Sequence, residues 1–137
     1  MADLIPVDAA ITQHADAIMS NVQYTCGEAI GGGETGYLKA SDGKIWKGIT
    51  SAAASAAIKG IVLQPTTAAD QPVSLQVGGT CDLGVACADG QFYVASDTGG
   101  GIKPETDLGA GEFATLIGCG DGTNLRMKLW ATGLDHA

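Results

Sequence analysis

The segment Leu125-Arg126-Met127-Lys128-Leu129-Trp130 decides the fold class, because its side chains alternate with a period of two. Its apolar residues at odd positions fall on one face of an extended chain, and the two cations and Trp130 fall on the other. Such alternation is typical of a strand that is buried on one face only. Val73–Val77 alternates in the same way, and there Ser74 and Gln76 are predicted to face solvent. Both segments therefore predict half-buried strands.

Further strands are predicted along the chain, separated by short turns. The predicted strands are Gly36–Ala40, Lys44–Lys47, Ala57–Leu63, Gln91–Ala95 and Phe113–Cys119. Glycine makes up 21 of the 137 residues, and the turns include Asp42-Gly43 and Asp121-Gly122, dipeptides that favour tight hairpins. Many short strands joined by close turns predict an all-β fold, with a compact antiparallel barrel or sandwich-like body.

Two segments are not assigned by periodicity. Ser51–Ala57 favours helix by composition but is too short to be stable alone, so it is predicted to be a surface loop or a single helical turn. Asp8–Val22 carries apolar residues at helical spacing, whereas its last part, from Ile18 onward, also fits a strand. Helix and strand both remain open for residues 8–22.

The chain repeats part of its own sequence 55 positions further on. Thr25-Cys26 recurs as Thr80-Cys81, and Ala40-Ser41-Asp42 recurs as Ala95-Ser96-Asp97. Further on the register drifts, since the later matching pair, Gly60 and Gly118, is 58 positions apart. This pattern predicts an old duplication, with chance similarity between turn-rich strands as the alternative. We expect a single β domain at 21–137, built from two similar units of about 55 residues at roughly 22–77 and 78–133, after an N-terminal arm or first strand at 1–20.

The charge balance is acidic: 15 Asp and Glu residues against 7 Lys and Arg residues give a net charge of -8. Nucleic acids and anionic membranes are bound by clustered cations, whereas the basic residues here are spread singly. No apolar run approaches the ~20 residues that span a bilayer, and the start of the chain lacks the pattern of a signal peptide. We therefore expect a soluble protein, made in a cytoplasm, that binds neither nucleic acid directly nor membrane.

Metal-binding patterns are weak in this sequence. The four cysteines form no C-x-x-C pair, and the two histidines, His14 and His136, stand near opposite ends of the chain. A zinc site needs closely spaced ligands, so none is predicted. The thiols are expected to be free and buried, since a cytoplasm is reducing. We predict no metal and no cofactor.

One motif suggests catalysis and is interpreted otherwise. Asp97-Thr98-Gly99 resembles the catalytic triplet of aspartic proteases, and Leu116-Ile117-Gly118 resembles their second signature. The two motifs lie closer together than such a fold allows, and Asp42-Gly43 occupies the matching place of the first repeat without a Thr. A turn in which the Asp bonds to the backbone is therefore favoured. We expect that the protein is not an enzyme.

A set of segments resembles one protein family. These segments are Gly36–Lys44, Ser51–Ala57, Gly60–Gln64, Ala69–Gln76, Gln91–Ser96 and Leu125–Gly133. Their pattern of strands and turns is similar to that of the small head-decoration proteins, or capsid cement proteins, of tailed bacteriophages. The resemblance implies a homo-oligomer, usually a trimer, that binds the major capsid protein on the exterior of the assembled head and stabilises the virion against internal DNA pressure. It also implies an extended conformation for Ile11–Cys26.

Two groups of candidate contact residues accompany this function. The candidate capsid-contact residues are Asp3, Leu4, Ile5, Pro6 and Val7. We interpret this segment as an arm that adds a strand to an exposed capsid edge, with a frayed terminus as the alternative. Trp46 and Trp130 are interpreted as contacts between subunits, where aromatic residues are enriched, with core burial as the alternative.

Two other functions remain open. A head-fibre or adhesin-like β module that binds host-surface glycans would expose aromatic platforms, and the chain has seven aromatic residues to divide between such a platform and the core. Another virion structural subunit, such as a tail-tube protein, would assemble into rings of six or more copies.

Overall fold

The strands of this protein are short, as its closely spaced turns predict. The computed structural model describes residues 3–6 and 13–136. The strands are β1 Ile18–Met19, β2 Tyr24–Thr25, β3 Thr35–Lys39, β4 Lys44–Lys47, β5 Ile58–Val62, β6 Pro72–Val73, β7 Leu75–Cys81, β8 Phe92–Ala95, β9 Ile102–Pro104, β10 Phe113–Gly120 and β11 Leu125–Asp135. Two short helical turns interrupt them, α1 at Ala53–Ala56 and a 3-10 turn at Glu105–Asp107. The all-β prediction is confirmed.

One long antiparallel sheet contains most of these strands. Its order is β4-β3-β5-β7-β11-β10-β8-β9, and β1 pairs with β7 beside this path. β2 and β6 form a small separate ladder. The sheet curls into a half-barrel, which agrees with the predicted barrel-like or sandwich-like body.

The strand order is the same when it is followed inward from either end of the sheet. In the first half, β3 pairs with β4 and then with β5, and β5 pairs with β7. In the second half, β8 pairs with β9 and then with β10, and β10 pairs with β11. The third strand of each half, β5 and β10, has one extra residue in its pairing with the neighbouring strand. This residue precedes the glycine that matches between the repeats: Lys59 before Gly60 and Ile117 before Gly118. The topology therefore repeats where the sequence repeats.

The core is built from aliphatic residues and buried thiols. The larger cluster consists of Ile58, Ile61, Leu63, Cys81, Leu83, Cys87, Tyr93, Ala95, Ile102, Ile117 and Leu125. The smaller cluster consists of Cys26, Ile30, Ile45, Val62, Val73 and Leu75. Each fully buried Ile or Leu stabilises the fold by roughly 1.5–3 kcal/mol, so these clusters supply most of the favourable free energy. The predicted alternation of β11 is confirmed, since Leu125 is buried whereas Arg126, Lys128 and Trp130 are exposed.

Gln76 is an exception to the alternation predicted for Val73–Val77. It was expected to face solvent, yet its side chain is 0% exposed. Its Nε2 donates hydrogen bonds of 2.9 Å to the Gly78 carbonyl and 2.8 Å to the Thr80 carbonyl. These carbonyls flank Gly79, which has a φ of +79° and pairs with Met127 of β11. The Gln76 amide nitrogen thus bonds to backbone carbonyls on both sides of Gly79, and these contacts compensate the burial of its polar group.

One predicted segment is confirmed, and one strand was not predicted. Ser51–Ala57 forms the single helical turn that was one of its two predicted alternatives, α1, in which Ser55 and Ala56 are buried and the other residues are exposed. Strand β9 was not predicted, because it is only three residues long, follows three glycines and ends in a proline, all of which argue against a strand.

Residues 8–22 were left open between helix and strand, and their described part, 13–22, contains a strand and no helix. Residues 13–22 contain no helix, and Ile18 and Met19 pair with Gly78 and Gln76 of β7. Within the described part of Ile11–Cys26, the chain is extended at β1, at β2 and at the isolated bridges of Gln13 and Cys26, as the resemblance implies, with a turn at 15–16 and a bend at 21–22 between them. Residues 8–12 lie outside the described residues.

Candidate binding surfaces

Both end strands of the sheet are contacted by other segments of the same chain. The Gly27 amide donates a 2.8 Å hydrogen bond to the Ile45 carbonyl of β4, and the Glu28 carboxylate accepts a 3.0 Å bond from the Lys47 amide. At the other end, the Leu4 amide donates a 2.8 Å bond to the Ile102 carbonyl of β9. A partner that added a strand at either edge would have to compete with these segments.

The N-terminal segment divides into a bound part and an exposed part. Asp3 accepts a 2.6 Å hydrogen bond from the Ser96 hydroxyl, and Leu4 packs against the larger core cluster. Ile5 is 78% exposed, and Pro6 is half-buried. Of the predicted capsid-contact residues, Asp3 and Leu4 therefore contact their own body, whereas Ile5 is available to a partner. The last predicted residue, Val7, lies outside the described residues.

Trp46 has its contacts within its own chain. Its ring nitrogen donates a 3.0 Å hydrogen bond to the Asp42 carboxylate, and the Lys39 ammonium lies 4.4 Å from the ring centroid. The ring also lies against Gly27, where an added Cβ would come within 2.2 Å of ring carbon Cε2. Trp46 therefore fixes the β3–β4 hairpin to the segment that covers β4. These contacts favour the alternative of ordinary packing over a subunit contact.

Trp130 lies on a different kind of surface. It is 63% exposed and pairs across the sheet with Leu116, which pairs on its other side with Val94. Phe92, on the same face of β8 as Val94, is 51% exposed. A groove of about 310 Å³ runs across these strands. We call this surface the outer apolar face and define it by Phe92, Leu108, Ala114, Leu116 and Trp130.

Trp130 is a candidate from the sequence alone, whereas the residues around it are not. Every residue of Phe92–Ala95 is apolar, so alternation does not reveal which of them face outward. The structure shows which side chains face outward. Tyr93 and Ala95 belong to the larger core cluster, so Phe92, one position before Tyr93, points to the opposite face of the sheet. The repeat offers a partial signal, since Phe92 corresponds to Tyr37, whose hydroxyl favours a position that reaches solvent.

The protease-like triplet lies in the turn between β8 and β9. The Thr98 amide donates a 3.1 Å hydrogen bond to the Ser96 hydroxyl, and Gly100 has a φ of +76°. The Asp97 carboxylate lies 3.5 Å from the Lys103 ammonium. The segment is therefore a turn, as predicted, but the side chain that accepts this backbone bond is Ser96 rather than Asp97, which contacts Lys103 instead. The second signature belongs to β10, within the sheet.

The four thiols are free. Burial raises the pKa of Cys81 to about 12 and that of Cys87 to about 11, which keeps both protonated at neutral pH. His14 lies 3.4 Å from the Asn124 amide nitrogen, measured from its Nε2. Within residues 3–6 and 13–136, no group of three His, Cys, Asp or Glu side chains is arranged to hold a metal ion.

No helix in the described part of the chain is long and apolar enough to cross a membrane. No protein-family model matches the chain, and no curated protein is significantly similar to it. The function is therefore proposed from the surfaces of the molecule and from the sequence pattern that resembles the decoration proteins.

Proposed function

We propose that this protein is a capsid decoration protein of a tailed bacteriophage, which binds the major capsid protein on the outside of the assembled head. The observation that carries the proposal is the exposure of large apolar side chains on an otherwise well-packed β body. Those exposed by half or more are Ile5, Ile18, Val22, Phe92, Trp130 and Leu134. Of these residues, Phe92 and Trp130 line one groove, and a contiguous apolar surface on a soluble domain is typical of sites that bind other proteins.

Ile5 is the best-placed residue for the capsid contact. Its neighbours Asp3 and Leu4 are held by hydrogen bonds to Ser96 and Ile102, so the segment is ordered before it meets a partner. Ordering a flexible segment during binding costs free energy, and an anchored segment avoids part of that cost. Because the β9 edge already has a partner in Leu4, we propose that Ile5 and Pro6 insert as side chains rather than as an added strand.

A protein with this surface stabilises a shell through binding linkage. A ligand that binds only the assembled, expanded shell stabilises that state by RT ln(1 + [L]/Kd) at each site. Several copies joined in one oligomer bind with avidity, so each contact can be modest in size. The acidic charge of -8 keeps the unbound protein soluble until it meets the head.

The test is cosedimentation with purified heads, expanded and unexpanded. We expect the wild type to sediment with expanded heads, and Ile5→Asp to lose this binding while it keeps its fold by circular dichroism. Ile18→Asp is the matched control, because Ile18 is also exposed but lies on β1, beside β7. Equal sedimentation of the wild type and Ile5→Asp would place the contact elsewhere on the molecule.

A glycan-binding module is the second candidate, and the exposed aromatic rings favour it. Trp130 and Phe92 lie on one face, and sugar-binding sites commonly use such a platform. Retention on immobilised polysaccharide separates the two functions. Retention that is lost in Trp130→Ala, together with no binding to heads, would favour the glycan-binding module.

A further inference from the structure

We infer that Asp89-Gly90 is a site of spontaneous modification, at which the aspartyl residue isomerises to isoaspartate. The chain contains three Asp-Gly dipeptides, Asp42-Gly43, Asp89-Gly90 and Asp121-Gly122. An aspartyl side chain that precedes glycine can cyclise onto the next backbone amide, because glycine carries no side chain to obstruct the approach. The three sites differ in how their carboxylates are held, and this difference does not depend on the proposed binding to heads.

The reaction is a net rearrangement, because the water released in its first step is consumed in its second. The Gly90 backbone nitrogen attacks the side-chain carboxyl carbon of Asp89, so a carbon–nitrogen bond forms, the nitrogen loses its proton and one carboxyl oxygen leaves as water. Water then adds to the backbone carbonyl carbon of the cyclic succinimide, and the bond between that carbon and the nitrogen breaks. The main chain now passes through the former side chain and is one carbon longer, and the old backbone carbonyl is a free carboxylate.

Hydrogen bonds hold the carboxylate of the first site. Oδ1 of Asp42 accepts a 3.0 Å bond from the Lys44 amide, and its Oδ2 accepts a 3.0 Å bond from the Trp46 ring nitrogen. The Lys44 amide is the largest cause that lowers the pKa of Asp42, so the protonated form, which releases its oxygen as water more readily, is scarce. Both the hydrogen bonds and the charge therefore protect Asp42 from cyclising.

The carboxylate of the third site is held in a similar way. Oδ1 of Asp121 accepts bonds of 3.0 Å from the Thr123 amide and 2.7 Å from the Asn124 amide. Its Oδ2 lies 3.5 Å from the Arg126 guanidinium. The Asn124 amide is the largest cause that lowers the pKa of Asp121. To cyclise, this side chain would have to give up its backbone hydrogen bonds and its charge, and that slows the reaction.

Asp89 lacks contacts of this kind. Among the residues that the structure describes, its carboxylate forms no hydrogen bond and no ion pair. Asp89 and Gly90 are both exposed, and Gly90 has a φ of +75°. An exposed turn opens locally more easily than buried strands do. The free carboxyl of Asp89 therefore reaches the Gly90 nitrogen at a smaller cost in free energy than the other two carboxyls reach theirs.

This turn fits tightly against the end of β10, so an extra carbon in its main chain has a structural effect. The Gly90 amide donates a 2.9 Å hydrogen bond to the Gly120 carbonyl. An added Cβ at Gly120 would lie 2.2 Å from the Ala88 carbonyl oxygen, which shows how closely the two segments approach. Isomerisation moves Gly90 relative to Ala88, and we expect the bond to Gly120 to be lost. The start of β8, next to Phe92 on the outer apolar face, is then less firmly held.

Peptide mapping of aged protein tests the inference. The folded wild type is incubated at neutral pH and physiological temperature, and isoaspartate is measured in each Asp-Gly peptide by electron-transfer fragmentation. Two hydrogen bonds that must break correspond to about tenfold in rate, so we expect isoaspartate at Asp89 to form at least about tenfold faster than at Asp42 or Asp121. Equal rates at the three sites, or no isoaspartate at Asp89, would overturn the inference.

Two controls separate the effect of the fold from that of the dipeptide. In the full chain unfolded by urea, all three carboxylates lose their contacts, and we expect the three rates to become similar. A preference for Asp89 that persists in urea would overturn the role of the hydrogen bonds. In the folded variant Asp89→Glu the ring would need one more carbon, so isomerisation at this position should stop while the rates at Asp42 and Asp121 stay unchanged.

Thermal unfolding tests the structural effect of the modification. The fraction of aged wild type that carries isoaspartate at position 89 should unfold at a lower temperature than fresh protein, whereas Asp89→Glu aged in parallel should not change. An isoaspartyl fraction that unfolds at the same temperature as fresh protein would contradict the tight fit against Gly120.

Discussion

The ammonium of Lys103 lies 2.9 and 2.8 Å from the two carboxylate oxygens of Glu112, and both side chains are buried. The same carboxylate accepts a 2.7 Å hydrogen bond from the Thr50 hydroxyl and a 2.5 Å bond from the Gly109 amide. This group of contacts connects β9, the loop before β10 and the loop after β4. It holds together the end of the body on which the N-terminal segment packs.

We predict that Glu112→Gln destabilises the protein strongly. The substitution removes the buried counter-ion of Lys103 and leaves only the exposed Asp97 carboxylate, 3.5 Å from the ammonium. Breaking a buried pair costs about 3–5 kcal/mol, and we expect the lower part of that range because Asp97 remains. The free energy of unfolding in urea measures the effect. The control is Asp70→Asn at the exposed Lys44–Asp70 pair, where Asn tolerates the φ of +67° and the loss should be far smaller. Equal losses in the two variants would contradict this account.

Acid should remove the contribution of Glu112. Burial alone would raise the pKa of this carboxyl, but hydrogen bonds from Lys103, Thr50 and Gly109 outweigh burial and lower the pKa from its ordinary 4.5. A group with a lowered pKa in the folded state contributes fully above its unfolded-state pKa, and the contribution is lost as the pH falls through the folded-state value. The stability difference between the wild type and Glu112→Gln should be constant near neutral pH and shrink below about pH 4.5. A difference that persists down to acid unfolding would be inconsistent with an ionised Glu112.

Gly79 and Gly43 allow backbone strain to be separated from steric contact. Both have positive φ, +79° and +68°, but an added Cβ at Gly79 would lie 2.2 Å from the Asp16 carbonyl oxygen, and one at Gly43 would have no atom within 4 Å. We expect Gly43→Ala to cost about 1 kcal/mol for its backbone conformation. Gly79→Ala must also displace the segment around Asp16 and should cost about 3 kcal/mol. Thermal unfolding of both variants measures the two losses of stability. A larger loss in Gly43→Ala than in Gly79→Ala would show that the segment around Asp16 packs differently.

The cysteines should differ in reactivity. Burial raises the pKa of Cys81 and Cys87, so their reactive thiolate forms are scarce, and access to them is also blocked. Cys119 is only half-buried and should be the first to react with iodoacetamide, before Cys26, which is fully buried. Peptide mass mapping after timed alkylation gives the order. Early modification of Cys81 in the folded protein would contradict the packing of the larger core cluster.

Sequence periodicity predicted most of this fold because most strands are buried on one face only. It located β11 and the β3–β4 hairpin closely, and the repeat of 55 residues corresponds to the repeated strand order. It missed β9, which is three residues long, follows three glycines and ends in a proline, and it misplaced Gln76, whose amide bonds to backbone carbonyls on both sides of Gly79. A period of two cannot be recognised in so short a segment, and it does not report hydrogen bonds that bury a polar side chain.

The candidate contact residues were harder to predict, because each depends on tertiary contacts. Leu4 bonds to Ile102, which is 98 positions away in the chain, and no local pattern reports such a contact. Trp46 and Trp130 look alike in sequence, since both follow lysine-bearing strand positions. Only the tertiary structure shows that Trp46 packs on Gly27, whereas Trp130 lies exposed beside Leu116.

Binding of the protein to expanded heads, with the temperature at which those heads release their DNA measured in parallel, tests the central proposal most directly. The account predicts saturable binding to expanded heads and a rise in the release temperature that follows occupancy, with Ile5→Asp losing both. Heads that bind no protein at any dose, or that bind it without any change in release temperature, would contradict it.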